Sequence, residues 1–367
     1  NPSNSGTLGN PITFKAADEA TVYIHRTPSV THTYVLGNGH NDYIVFDGFT
    51  FITSGGDAFN GIIIAGESED YADGCIVRNC TFPGSETTSS STDNQSAIFY
   101  TFTNDLLIEN CTIYNFKGQN QNTSGTKSYS TNRTIIQNCE IYNCTAGIYA
   151  KSGSDGLIIR YNYIHDCGEG ILAQTCSRKH INGSVYHNIV AGCSGYNFRM
   201  WAEADYEEHD IDNWSVYNNT FYNATAPSWG VVCFLDSIPG RSASYIFRDN
   251  IIESLPGTGD ARCGLRWLNV TAEAGGFDYN AYGSNPDVTQ ASTHYTTLST
   301  IRGATIAGLT EGNHNVNSVD GATVFVNTSG SMSTIADFAL ASNSPGYQAG
   351  SDGKDMGADV TLVGTGA

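Results

Sequence analysis

"NRTIIQNCEIYNCTAGIYAKSGSDGLIIRYNYIHDCGEGILAQ", residues 132–174, states one pattern twice. TIIQNCEIYNC becomes LIIRYNYIHDC, and AGIYAKSGSD becomes EGILAQTCSR. Identity between the copies is loose, but Ile, Asn and Cys keep their places. Followed along the chain, the pattern gives a column of related positions: Phe49, Cys80, Cys111, Cys139, Asn162, Asn188, Asn219, Asn250 and Asn280. Successive members are 23 to 31 residues apart. A hydrophobic residue follows two positions later every time: Phe51, Phe82, Ile113, Ile141, Ile164, Val190, Phe221, Ile252 and Tyr282. A repeat of this period marks a chain built by stacking one supersecondary unit on the next.

Each unit holds two or three short strands of alternating hydrophobicity, separated by Gly, Asn, Ser and Asp. The 23-residue unit has no room for a crossover helix, so consecutive units must pair their strands in parallel, coil upon coil. That describes a parallel β-helix, an all-β solenoid with a continuous interior. Equivalent residues then stack about 4.8 Å apart. Ile stacks on Ile, and Asn amides at the bend bond their neighbours. Cys80, Cys111 and Cys139 share one column, and Cys144, Cys167 and Cys193 share a second; buried Cys behaves as a small hydrophobe. Free thiols are the favoured reading over disulfides. The coils occupy residues 1–283. After GGFDYNAYG the repeat weakens, and residues 284–367 read as the last coil or coils and a C-terminal cap of the same domain, with a short amphipathic helix in THYTTLSTIRGATI.

The 367 residues are 40% hydrophobic and only 14% charged, and the formal net charge is −19. Nucleic acid is a poor partner for such a chain, because phosphate backbones are bound through Lys and Arg clusters. No apolar run is long enough to span a membrane as a helix. NPSNSGTLG would suit the start of a mature secreted chain, so an extracellular or cell-surface location is expected.

SGTLGNPITFKA, IIRYNYI, VYNNTFYN and SPGYQAGSDGKDMGAD together resemble the right-handed parallel β-helix proteins of the pectate-lyase-like superfamily, over roughly residues 5–360. The resemblance implies a right-handed solenoid, here of nine to eleven coils, and business with polysaccharide or a cell-surface glycan. Relatives usually carry a strand and a capping segment before the SGTxGNPITF coil. This chain starts almost in that coil, and an uncovered sheet edge templates pairing with other chains. End-to-end self-association into filaments is therefore the alternative, with the solenoid as a stiff structural or adhesive rod.

Superfamily enzymes build substrate grooves on an outward strand face. The strands GIIIAG, AIFYTF, GIYAKS, GILAQT, NFRMWA, GVVCFL and GLRWLN supply such a face here. Alternation predicts that Tyr149, Lys151, Gln174, Arg199, Trp201, Phe234 and Arg266 point outward on it. β-Elimination on a uronate needs a base for the C5 proton and a cation for the carboxylate. AKS at 150–152 resembles the Lys-Ser of alginate-lyase-like and chondroitinase-like β-helices, which casts Lys151 as the base and Arg199 as its partner. Those relatives place the Arg one coil after the Lys, where this chain has Gln174, so the catalytic set is incomplete. Tyr149, Gln174, Trp201, Phe234 and Arg266 are the substrate-contact candidates. Hydrolysis would need two flanking carboxylates, with Asp166 and Glu169 as candidates near Asp155 and His165. The acidic loop WAEADYEEHDIDNW offers Glu203, Asp205, Glu207, Asp210 and Asp212 as oxygen ligands for Ca²⁺, which takes six to eight of them; a second acidic loop is GESEDYADG, 66–74.

Overall fold

A computed structural model describes residues 3–17, 21–25, 34–52, 60–85, 88, 95–176, 178–202, 211–223, 231–236, 242–254, 265–268, 271–273, 277–283, 288–290, 293–302, 305–306, 309–310, 314, 316–317, 325–327 and 332–365. The chain winds as a parallel β-helix with three long sheets which, in the order the chain meets them within a coil, have 11, 11 and 14 strands among the described residues. Each regular coil gives a strand to each sheet in turn, and some give the 14-stranded sheet a second short one, such as His180–Ile181. Ile135–Gln137, Glu140–Tyr142 and Ala146–Asp155 make one such coil, and Ile158–Arg160, Tyr163–His165 and Glu169–Thr175 make the next. Registers between neighbouring coils are parallel throughout the middle of the molecule, as in Ile135↔Ile158, Ile141↔Ile164 and Ile148↔Ile171. The two copies in residues 132–174 are thus two coils, one over the other.

The regular winding amounts to about seven turns, fewer than the nine to eleven expected. The repeat also runs through less regular end rungs. Near the C-terminal end, Thr271–Glu273 and Phe277–Asp278 both pair with the single strand Ser242–Arg248, and Thr293–Tyr295 turns back antiparallel on Val288–Gln290. The expected short helix is Leu298–Ile301, started by a capping box on Thr297.

The corners explain the repeat. Between the first and second sheets the chain takes positive φ at Asn79, Asn110, Asn138, Tyr161, His187, Asn218 and Asp249. Asn and Asp reach this left-handed region at low cost. The next residue in each coil turns inward. Asn162, Asn188, Asn219, Asn250 and Asn280 stand there fully buried, and each of the first four amides donates to the carbonyl oxygen of the next at 3.0–3.2 Å. Each Nδ2 also reaches a backbone carbonyl of the preceding coil, for example Asn188 to Ile159 O at 2.9 Å. Cys80, Cys111 and Cys139 fill the same place in earlier coils and are also buried. The nine described cysteines are free thiols. At the opposite corner Gly147 and Gly170 are required by close approach: a Cβ would sit 2.6 Å from Gly170 O and 2.4 Å from Asn197 O respectively.

The core is the bore of the solenoid, filled by Ile108, Ile136, Ile159, Ile148, Ile171, Phe198, Phe221 and their stacked neighbours. A smaller apolar cluster lies outside the second sheet, where Phe325, Phe338, Met356 and Val363 pack on Tyr163, Ile189, Ala191, Ile251 and Ala281. Among the described residues, no helix is long and apolar enough to cross a membrane.

Candidate active site

The third sheet has the longest strands. Gln95–Asn104, Thr123–Asn132 and Ala146–Asp155 are each ten residues long and lie side by side. Their outward residues form rows across the coils. One row runs Phe99, Lys127, Tyr149, Leu172, Arg199, Cys233 and Arg266; the next runs Thr101, Tyr129, Lys151, Gln174 and Trp201. A column nearer the corner runs Ser96, Ser124, Ala146 and Glu169.

Lys127 and Lys151 therefore sit diagonally, with Tyr149 and Tyr129 on the other diagonal. The Lys127 ammonium position lies 4.8 Å from the Tyr149 ring centre and 5.8 Å from that of Tyr129; Lys151 lies 5.8 and 5.6 Å from the same rings. Asn122 Oδ1 accepts from both amines, at 2.8 Å from Lys127 and 3.4 Å from Lys151. Lys127 also donates to Asn122 O at 3.3 Å. Lys127 is 0% exposed. Burial, with the positive charge of Lys151 added, pushes its pKa down from 10.5 to about 6. Removing the hydration of an ammonium favours its neutral form, so this amine is largely unprotonated at pH 7.

The Tyr149 hydroxyl donates to Gln174 Oε1, and Tyr149 packs with Ala146 and Leu172 in an apolar cluster separate from the bore. One coil further, Arg199 Nη1 pairs with Glu169 Oε1 at 3.1 Å, and Gln121 Nε2 donates to the same oxygen at 3.1 Å. The Arg199 guanidinium lies 4.4 Å from the Trp201 ring centre and 5.3 Å from that of Tyr196. The turn at 120–122 spans both halves: Gln121 holds Glu169, and Asn122 holds the two lysines. Thr145 Oγ1 pins the approach to that turn, accepting from Gly118 N at 2.8 Å.

Five of the sequence candidates, Tyr149, Lys151, Gln174, Arg199 and Trp201, are brought onto this face. Gln174 is the one-coil neighbour of Lys151 in register, as expected. Arg199 is two coils from Lys151 and engaged by Glu169. Phe234 is a correction. It pairs with Met200, is 1% exposed and packs in the bore against Phe198 and Phe247. GVVCFL is displaced by one residue from the alignment with NFRMWA, and a slip of one residue exchanges the two faces of a strand. Arg266 pairs with Cys233 in the outward row; its side chain lies outside the described residues. So do Glu203, Asp205, Glu207 and Asp210 of the proposed calcium loop. Asp212 is exposed, and its Oδ1 accepts from Asn213 N. Among the described residues no group of three or more His, Cys, Asp or Glu is arranged to hold a metal. In the first acidic loop Glu67 and Asp70 lie instead beside His40, at 3.1 and 3.7 Å.

The two hydrolase candidates have different partners. Asp166 is an exposed corner residue with Oδ2 2.8 Å from His165 Nδ1, whereas Glu169 faces Arg199. Burial alone would depress the pKa of His165, but the carboxylates of Glu140 and Asp166 outweigh it and raise it.

Sequence reasoning missed Lys127. Its strand, TSGTKSYSTN, carries Thr126 and Ser128 where neighbouring coils carry Ile98 and Tyr100 or Ile148 and Ala150. Without apolar alternation it does not announce itself as a strand. The signal that finds it is the period, which requires a third-sheet strand between AIFYTF and GIYAKS.

The profile of a family described as a right handed beta helix region matches residues 33–223. Among solved structures, the chain is similar to the pectate lyase Pel9A, with a TM-score of 0.50 and 15% identity over 97% of this chain and 84% of that one. It is also similar to XylC, solved with xylose, at TM-score 0.45 and 13% identity over 78% of this chain, and to the Dettilon tailspike protein, at 0.47 and 14% over 84%. The chain spans about half of XylC (52%) and 60% of the tailspike protein. No curated protein matches it. At these identities the likeness concerns the fold.

Proposed function

The chain belongs to the right-handed β-helix family, and on that scaffold we propose a protein that binds and processes polysaccharide on the outward face of the third sheet, by elimination on a uronate more than by hydrolysis. The base in this reading is Lys127, not Lys151. β-Elimination begins with loss of the C5 proton, which needs an unprotonated base in a site that also steadies the developing charge. Lys127 supplies the neutral amine and becomes an ammonium as it takes the proton. The C5–H electron pair forms the C4=C5 double bond, the C4–O bond breaks, and the departing oxygen takes a proton from water to become the hydroxyl of the shortened chain. The positive charge of Lys151, on the same Asn122 oxygen, is placed for the uronate carboxylate. Tyr149 and Tyr129 offer ring faces beside both. Since Lys127 is fully covered, substrate enters from the half-buried Lys151 side and displaces Asn122 from the amine. Arg199 holds Trp201 and Glu169 in place at the next rung. Hydrolysis fits less well, because Glu169 is held by Arg199, Asp166 and Glu140 face His165 away from this sheet, and the corner residue Asp155 accepts from Asn182 through Oδ1. A polymeric uronate substrate would place the protein outside the cell.

The observation that carries the reading is the Lys127 amine, held close to neutrality beside a second lysine and two tyrosine rings. Absorbance near 235 nm across a panel of uronate polymers tests it. Wild type should release unsaturated product from at least one polymer. Lys127→Met should lower the rate by roughly 10²- to 10⁴-fold, the usual weight of a general base. Silence from folded wild type over the whole panel would sink the elimination reading.

A further inference from the structure

The strand that carries Lys127 outward carries hydroxyls inward. Thr126 stands in the bore column of Ile62, Ile98, Ile148 and Ile171, and Ser128 in that of Ile64, Tyr100, Ala150 and Ala173. Thr131 stacks between Thr103 and Ser154. Thr134 follows Leu106 and precedes Leu157 in a fourth column, as the bonds from Ile135 N to Leu106 O and from Ile158 N to Thr134 O show. One coil thus turns four hydroxyls into a bore that is mainly apolar, with Thr103 and Ser154 as their polar neighbours in the adjoining coils.

Tyr100, Thr103, Thr126, Ser128, Thr131 and Thr134 are each 0–1% exposed. None of their side-chain oxygens makes a hydrogen bond of good geometry within the protein, although the Ser128 and Thr126 hydroxyls stand close enough to the Tyr100 hydroxyl to offset part of the rise that burial gives its pKa. Ser154, in the coil above, does have one, at 2.7 Å from His180 Nδ1. Buried hydroxyls are paired with protein or ordered water in the great majority of cases, because one left unmet forfeits its hydration with nothing in return. Six such oxygens within two adjoining coils are more than native folds ordinarily leave unmet. Neutral hydroxyls both donate and accept, which suits water; a cation in such a place would call for carboxylate or carbonyl oxygens.

We propose that the bore between residues 100 and 134 is a binding site for a cluster of ordered waters, held by these six hydroxyls directly behind the Lys127 strand. The waters belong to the folded protein and exchange only when the solenoid opens. The site is independent of any reaction on the outer face.

A crystal structure at atomic resolution tests the wild type. The expected result is two or more density peaks, each within about 2.6–3.2 Å of at least two of the six oxygens. Hydroxyls paired only with one another and no peak between them would overturn the proposal. So would a single peak with five or more oxygen ligands near 2.4 Å, which is a cation. In solution, ¹⁷O relaxation dispersion counts long-lived waters. The double variant Thr126→Ile, Ser128→Ala takes the residues of the coil above, and should lose at least one such water relative to wild type. An unchanged count in the folded variant would contradict the site. Tyr100→Phe, which removes a hydroxyl without adding volume, gives the same comparison should the double variant fold poorly.

Discussion

Lys127 is the residue at which stability and function part company. An amine whose folded pKa is near 6 and whose unfolded value is 10.5 is neutral in the fold and charged when unfolded over the interval between. Its depressed pKa therefore leaves wild type at its best above pH 10.5, and progressively worse as pH falls towards 6. Lys127→Met, of similar shape and no charge, should be more stable than wild type at pH 7. The gain should be on the order of 3 kcal/mol once the lost bonds to Asn122 are set against it, and should shrink as pH rises towards 10.5. Urea unfolding at pH 7 and pH 10 measures both; a less stable variant at pH 7 would argue for a charged, well-paired lysine. His180 gives a second test of the same kind. It is fully buried in the bore, and burial lowers its pKa to about 4. The contribution of its neutral form is complete above about pH 6.5 and is lost as pH falls through 4, about 3 kcal/mol in all. Unfolding free energies between pH 7 and pH 4 should show this fall in wild type and a smaller one in His180→Gln.

At the scale of the element, the asparagine column shows how far a repeat can be read. The positions were legible because Asn serves two needs at one corner: left-handed backbone in one residue and a buried amide in the next. Asn219 accepts from Asn188 N and Nδ2 at 3.0 Å, and donates to Val185 O, Tyr217 O and Asn250 Oδ1. Asn219→Cys should cost roughly 2–4 kcal/mol, because it strands buried partners on both sides. Asn162→Cys should cost less, since the preceding rung already carries Cys139, and Asn162 Oδ1 meets only its backbone N–H. Equal losses in urea unfolding would deny the ladder its cooperative share. Two readings at this scale went astray for physical reasons. Aligning GVVCFL with NFRMWA puts Phe234 on the wrong face, because the two strands pair with a slip of one residue, Met200 opposite Phe234. Lys127 was passed over because a strand with hydroxyls on its inner face has no hydrophobic period to detect. That Tyr149, Lys151 and Arg199 share one outward face was legible, but not the covering Asn122 or the claim of Glu169 on Arg199, which depend on how a loop folds back.

Over the whole molecule, the C-terminal segment runs back along the solenoid like a seam. Ser351 N and Oγ both donate to Asp249, Gly357 N to Asp249 O, Ala358 N to Thr220 Oγ1, Asp359 N to His187 Nδ1 and Gly364 N to Tyr161 O, while Asn138 Nδ2 donates to Leu362 O. Five coils are tied by one strand of chain, so their separation requires its release. His187 accepts through Nδ1 and must be unprotonated there. Burial lowers its pKa, with the nearby Asp359 carboxylate opposing. The bond is intact above about pH 6.5 and lost as pH falls through the lowered value. Amide exchange at Asp359, corrected for its intrinsic pH dependence, should quicken on acidification in wild type, and should be fast at all pH in His187→Ala. Exchange that ignores pH would remove His187 from the seam.

The ionisation state of Lys127 is the claim on which the proposed chemistry stands. Selective ¹³Cε labelling of lysine, followed by NMR titration with Lys127→Met to assign the signal, measures it directly. The account predicts one lysine resonance titrating near pH 6. A Lys127 signal that titrates near 10.5 with the exposed lysines would contradict it.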